Sequence, residues 1–454
     1  MDTEGIYVFI VMLMLTILTQ SSSASVSDDP HPCPVKDPCS CDLAKVICTN
    51  LTQSEFPTFT RVNATWRCWT LVMNYNFNIK RIPAGAFDNL PFCSLQIGHN
   101  GFEVMEDGAL NGSEAFLDSV FMQFNKFKEL PNDITRMRNI TMLSIHDNPI
   151  TTLPSNMAFA PTLEFLDIGS PEMTTWPHSI RTLKKVWSLT VYQLSDLPVD
   201  AFDGLENVLT SVTFQSTHLK VIPSALKKLR KMTGLAFFDN IELTSDDITD
   251  SSFSGMEALG DIFIMNSNLT RVPNLSKNPF LTHLSLTHCP ISRWDINTLP
   301  DQSLLTSVDL SHTNIDHIPP TIRQIRSLTQ LTLVNTKVAK IGPNDFAGLQ
   351  KFSYLTLDQT PLETISLDAF NDTHILQGLD LDYTKLSGLP RAIERLPALR
   401  FVGLQNVTIE CSCAELGWIK NWIGLRQSPG FGGDCQNNQM YLSDYIQKEI
   451  PKCP

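Results

Sequence analysis

One pattern of apolar and polar positions recurs along most of this chain. In Leu143-Ser-Ile145-His-Asp-Asn148-Pro-Ile150-Thr-Thr-Leu153-Pro154 it reads L-x-L-x-x-N-x-I-x-x-L-P. Clear copies begin at Val120, Val212, Ile262, Leu284, Val308, Leu331, Leu355 and Leu379, and weaker ones at Leu71, Leu95, Leu166, Trp187, Leu235 and Val402. About fifteen copies result, and successive starts differ by 21 to 27 residues. In Val308-Asp-Leu310 the two apolar side chains alternate with Asp309, so they share one side of a short strand. One such strand cannot bury that side alone. Stacked about 4.8 Å from its neighbours, it joins a parallel sheet whose inner side is a continuous core.

The rest of each copy fits such a stack. Asn at the sixth position, as in Asn100, Asn125 and Asn148, is placed to hydrogen-bond backbone groups of the turn after each strand. Ser267, Cys289, Thr313, Thr336, Thr360 and Thr384 replace it later and are expected to do part of the same job. A proline follows the closing apolar residue in nine copies (Pro154 and Pro319, for example), which ends strand-like bonding as the chain turns outward. The outer arc then carries Ala-Phe-x-x-Leu or Pro-x-x-Ile-x-x-Leu, with Ile180, Ile322 and Ile393 expected beneath short helical segments.

End copies of a stack expose one core face each and need caps. Four cysteines, Cys33, Cys39, Cys41 and Cys48, precede the first copy, and Cys411, Cys413, Cys435 and Cys453 follow the last. A zinc site is disfavoured, since histidines at finger spacing are absent. The period is that of leucine-rich repeats. The flanks resemble the cysteine caps of extracellular leucine-rich repeat proteins such as Slit, the Nogo receptor, chondroadherin and Toll-type ectodomains. The C-terminal flank, with Trp418 and Trp422, is the most specific part of that resemblance. It implies an α/β leucine-rich repeat solenoid, a right-handed curved horseshoe with a parallel β-sheet on its concave face and disulfide caps at both ends. It also implies the pairs Cys33–Cys41, Cys39–Cys48, Cys411–Cys435 and Cys413–Cys453. Cys68 and Cys93 lie just ahead of consecutive strands, where a further disulfide is geometrically plausible. Cys289 is expected as a buried free thiol.

Composition and the chain's start set the compartment. Of 454 residues, 42% are hydrophobic, enough for a core and against general disorder. A net charge of −13 argues against nucleic-acid and heparin-type partners, which want a basic face. Ile6–Leu18 is an apolar run too short to span a bilayer comfortably, and Ser22 and Ala24 follow with signal-peptidase spacing. Residues 1–24 therefore read as a secretory signal, although Asp2 and Glu4 replace the usual positive start. With them removed, −13 becomes −11. Eight sequons, at Asn50, Asn63, Asn111, Asn139, Asn268, Asn274, Asn371 and Asn406, suit a secreted glycoprotein. Downstream there is neither a second membrane segment nor a hydrophobic tail, so the product is expected to be released. The expected organisation is a signal at 1–24, an N-terminal cap at 25–69, repeats at 70–408 and a C-terminal cap at 409–454.

The solvent-facing strand positions form columns, and three patches stand out. The first is apolar: Phe121, Phe124, Phe238, Phe263 and Met265. The second is acidic with aromatic neighbours: Asp309, Asp358, Asp380 and Asp382 with Tyr354 and Tyr383. The third holds His288 and His312, with His283 and Asp309 nearby. Ser285, His312 and Asp309 make a triad only on paper, without a nucleophile elbow or phosphate loop. The expectation is a non-enzymatic protein without cofactor or metal, binding an extracellular protein or glycan partner through its concave face. Its role would be recognition in signalling or innate immunity; the alternative is a structural matrix component contacting collagen or cell-surface receptors.

Overall fold

The computed structural model describes residues 33–60, 68–88, 90–423, 429–438 and 440–454. The expected leader and Asn63 lie outside the described residues. The chain is a parallel-sheet solenoid of about fifteen turns with disulfides near both ends. Its main sheet has eighteen strands among the described residues, seventeen of them parallel neighbours from Lys45–Ile47 to Gly430–Phe431. The eighteenth, Ser40–Asp42, is an antiparallel hairpin partner at the N-terminal edge.

Register follows the alternation. Leu71, Leu95, Val120, Leu143 and Leu166 lie side by side, and the row continues to Leu379 and Val402. One expected start is corrected: Leu189, not Trp187, pairs with Leu166 and Val212. Trp187, Leu189 and Val191 alternate, so sequence alone allowed either frame. The core takes Leu189 and Val191, which are buried, and leaves Trp187 41% exposed.

Two apolar layers fill the interior. The strands contribute aliphatic side chains, and the outer arc contributes buried phenylalanines such as Phe87, Phe127, Phe202 and Phe370. Short helical turns at His178–Thr182, Pro320–Gln324 and Arg391–Arg395 each follow a proline and bury Ile180, Ile322 and Ile393, as expected. At the ends, Cys33–Cys41, Cys39–Cys48, Cys411–Cys435 and Cys413–Cys453 are all disulfides, and Cys68–Cys93 joins neighbouring turns. Trp418 packs 6.0 Å from Trp422 in the last cap, with the Arg391 guanidinium over its ring.

The polar ladder divides in two. Asn125 reaches into the preceding turn: its amide donates to Ile97 O at 2.8 Å and its carbonyl accepts from Phe102 N–H at 3.2 Å. Asn76, Asn100, Asn148 and Asn240 likewise bond atoms of a neighbouring turn. The later threonines donate only within their own turn, as Thr336 does to Leu333 O and Thr384 to Leu381 O. Cys289 is the buried free thiol at this position, its pKa pushed up to about 11 by burial.

Just before the ladder residue, nearly every turn places a non-glycine residue in the left-handed region. The column includes Tyr75, His99, Phe124, Asp147, Gln193, Asn266, His288, His312, Tyr383 and Asn406. Left-handed backbone ends the strand and aims the ladder residue inward. Asn, Asp and His tolerate it better than other side chains do.

The ladder predicts unequal costs. Asn125→Ala strands two groups of the preceding turn and should lower the free energy of unfolding by about 2–4 kcal/mol. Thr336→Ala, which breaks one bond within a turn, should cost about 1 kcal/mol. Urea unfolding monitored by circular dichroism tests this, and equal losses would contradict inter-turn stapling.

Candidate binding face

The concave face is built from residues that alternate with the buried ones and from the left-handed column at its edge. Parallel register sets neighbouring side chains of one column about 4.8 Å apart. The expected apolar patch does not assemble as one surface. Phe121 and Phe124 belong to the turn of Val120, whereas Phe238, Phe263 and Met265 belong to two turns that begin five strands later, about 24 Å away. Phe238 is only 8% exposed, between Gln215 and Met265 in its column. It is core-like, not a contact residue. Phe263 and Met265 are half-buried, and Phe124 is 43% exposed.

Around Phe124 lies a strip that sequence reasoning missed. Tyr75 stacks on His99 at 5.3 Å and His99 on Phe124 at 4.4 Å; Phe124 meets His146 edge-on at 5.0 Å. Phe77 touches Tyr75 at the strip's outer end. The column spacing could have revealed this, since Tyr75, His99 and Phe124 each sit one place before a ladder asparagine.

The acidic patch forms with one member removed. Asp358, Asp380 and Asp382 share two adjacent turns with Tyr354 and Tyr383, which are 50% and 52% exposed. Glycine makes the room: a Cβ at Gly403 would collide with the Asp380 and Asp382 carboxylates, and one at Gly378 with the Tyr354 ring. Burial pushes the carboxyls of Asp380 and Asp382 above their ordinary range, and the charge of Asp358 pushes both further. Asp309 stands two strands away and bonds the hydroxyl of Ser311 at 2.6 Å.

His288 and His312 do stack, at 4.0 Å, but both are left-handed turn residues. His312 Nδ1 faces the amide of Asn335, and His283 pairs with Asp261 instead. Burial, then the neighbouring imidazole, lowers the pKa of His288. The paper triad is not assembled. Among the described residues, no group of three or more His, Cys, Asp or Glu is placed to hold a metal. No described helix is long and apolar enough to cross a membrane.

Comparison with known proteins accounts for the same architecture. Residues 351–406 match the family described as leucine rich repeat. The fold is that of a leucine-rich repeat solenoid, with disulfides near both ends. It is 27% identical to human vasorin over 160 residues, 35% of this chain and 20% of vasorin. It is 23% identical to bovine osteomodulin over 230 residues, 47% of this chain and 53% of osteomodulin. The match therefore spans about a fifth of one relative and half of the other. Among solved structures, Toll in the Drosophila Toll–Spatzle complex superposes with a TM-score of 0.59 at 18% identity, covering 80% of this chain and 54% of that one.

On this leucine-rich repeat face the sequons are unevenly placed. Asn50 and Asn406 both occupy the left-handed column, at opposite ends of the sheet, and both are exposed. Asn111, Asn139 and Asn371 are exposed on the outer arc, and Asn268 is exposed just past the ladder. Asn274 is half-buried. No sequon falls on the strand positions between Asn50 and Asn406.

The turn of Leu166 carries Gly169 and Ser170 ahead of Pro171, and sequence reasoning missed the consequence. Gly169 sits where its neighbours carry His146 and Tyr192, and it leaves those two rings free to stack across it at 3.8 Å. The Gln193 amide adds a 2.6 Å bond to Asp147, again two turns away. Within this bridged region Asp167 is half-buried, and its Oδ1 is shut from solvent without a hydrogen-bond partner. Burial raises its pKa to about 6, against the opposing pull of His146 and of the Thr190 and Ser144 hydroxyls. The folded chain thus binds this proton more tightly than the unfolded chain does. Asp167 costs the fold stability at neutral pH, and the loss is recovered as pH falls through 6 toward 4. Asp167→Asn should therefore raise stability at pH 7.4 by about 1–3 kcal/mol, with the gain vanishing near pH 4. Thermal melts across that range measure it; a gain independent of pH would rule out the buried charge as its cause.

Proposed function

We propose that this leucine-rich repeat protein works outside the cell as a non-enzymatic recognition protein, gripping a protein partner in its concave face. One observation carries the proposal. Tyr75, Phe124 and Tyr383 stand in left-handed backbone and are each about half exposed. A bulky aromatic is a poor choice for that conformation, where Asn or Asp would be easier. Exposed, these rings give the core little in return. Their benefit is sought outside the molecule, in a contact surface where aromatic anchors do most of the work.

The two ends of the face differ in chemistry. Tyr75 and Phe124 belong to the aromatic strip, and Tyr383 borders Asp358, Asp380 and Asp382. A partner offering apolar groups at one end and basic groups at the other fits both. Glycans at Asn50 and Asn406 would bracket this surface and leave its interior bare, while those at Asn111, Asn139 and Asn371 would cover the outer arc. Toll, in its complex with Spatzle, is an example of this fold holding a protein ligand. Five disulfides support an oxidising compartment.

Backbone preference gives a test in which folding and binding move apart. Tyr75→Asn, Phe124→Asn and Tyr383→Asn place a better left-handed residue at each site and create no new sequon. The triple variant should melt no lower than wild type yet retain at least tenfold less partner in affinity capture from extracellular extract. If it captures the same proteins at the same level, the concave-face reading is wrong.

A further inference from the structure

Asp167 lies outside every patch described above, and its surroundings are those of a site. Its strand, Phe165–Ile168, runs between Met142–Ser144 and Ser188–Tyr192, so Ser144 and Thr190 flank it directly in the same column. The His146–Tyr192 stack crosses this strand over the side-chain-less Gly169. Beside it, Asp147 is held by His146 Nδ1 at 2.7 Å and by Gln193 at 2.6 Å. Around the Asp167 carboxylate the interacting groups are His146, Ser144 and Thr190, without a lysine or arginine. One of its oxygens is buried and bonded to nothing. A buried ionised carboxylate without a cation is costly, whereas a neutral residue here would cost nothing.

We propose that Asp167 is a closed slot for the cationic head of a basic group, guanidinium or ammonium, entered by displacing the His146–Tyr192 stack. The slot supplies what such a head needs: one unpartnered carboxylate oxygen and aromatic rings to lie against its face. A guanidinium suits it better than an ammonium, because its planar fork matches a carboxylate and slides between flat rings. The inference rests on the concave face being the recognition surface, and it names an arginine or lysine of the partner as the group that enters. The bridge makes the slot selective. A neutral group gains nothing that offsets the lost stack, and an anion meets a carboxylate.

The slot is testable without the partner. Tyr192 and His146 ring resonances of the full-length protein are followed by NMR during titration with methylguanidinium, methylammonium and tetramethylammonium. Saturable shifts are expected with methylguanidinium, weaker ones with methylammonium and none with tetramethylammonium, which lacks N–H donors. Asp167→Asn, expected to stay folded, should weaken methylguanidinium binding at least tenfold, while Asp246→Asn, at an exposed carboxylate outside the binding face, should leave it unchanged. Acetyl-Gly-Arg-Gly-amide separates the two sources of the head group. Binding at least as tight as methylguanidinium identifies a protein side chain as the ligand, and exclusion of the peptide overturns the partner assignment in favour of a free small cation. No saturable shift, or equal binding to Asp167→Asn, overturns the slot itself. The triple-asparagine variant keeps Asp167, His146 and Tyr192 and touches the slot only through the Phe124–His146 contact, whereas Asp167→Asn leaves the three aromatics in place, so the two readings fail separately.

Discussion

Everything in this molecule depends on parallel strands about 4.8 Å apart having identical neighbours on both sides. A single turn holds too few apolar groups to fold, so each is stable only as far as it fits the next. That constraint acts on polar atoms as strictly as on apolar ones. Backbone groups that turn away from the sheet are carried into the interior and need partners there. Asn125 meets the need by spanning two turns, which makes the ladder a source of cohesion between repeats as well as a way of satisfying each one. Where threonine takes over, as at Thr336 and Thr384, each turn satisfies itself. The C-terminal half is then joined by sheet bonds, apolar packing and polar bonds outside the ladder, such as those of Asn437 to Cys411 in the cap that holds the Trp418–Trp422 pair.

How much of this was legible in the sequence follows from what each feature depends on. The period, the sheet and the ladder depend on spacing, which is visible in one dimension, whereas the pairing of the cap cysteines followed from the resemblance of the flanks to known caps. The frame at Trp187 was not visible, because Trp187, Leu189 and Val191 alternate equally well and only the neighbouring turns decide between them. The patches failed for a related reason. Phe121 and Phe263 occupy the same column, and a column says nothing of how far apart two members lie until the turns between them are counted. Phe238 shares its column with Gln215, Met265 and Tyr192, yet its burial comes from what stands next to it.

The left-handed column changes how chemistry is read from such a sequence. His288 and His312 invite a metal or a proton switch when seen alone. In the fold they occupy a position where backbone conformation favours Asn, Asp and His, and that preference explains their presence without any chemistry. The same logic reverses for Tyr75, Phe124 and Tyr383. A residue that suits its backbone needs no further reason, and a residue that strains it does.

In a periodic structure, positions that break the period carry the information that the period cannot. The turn of Leu166 carries glycine at position 169, and the effect propagates outward. A Cβ there would collide with the Tyr192 backbone; without one, the His146 and Tyr192 rings close across the strand, and one oxygen of Asp167 is shut in. None of these steps improves the stack as a stack. Asp167 raises its cost at neutral pH, and serine, threonine or asparagine would satisfy the same column without it, as Ser144 and Thr190 do on either side. A defect confined to stability has a simple repair by one substitution. A carboxylate with one oxygen shut in, kept at the centre of the concave face between two turns that reach across to cover it, fits a chain whose stability is reduced locally for the sake of a contact made elsewhere.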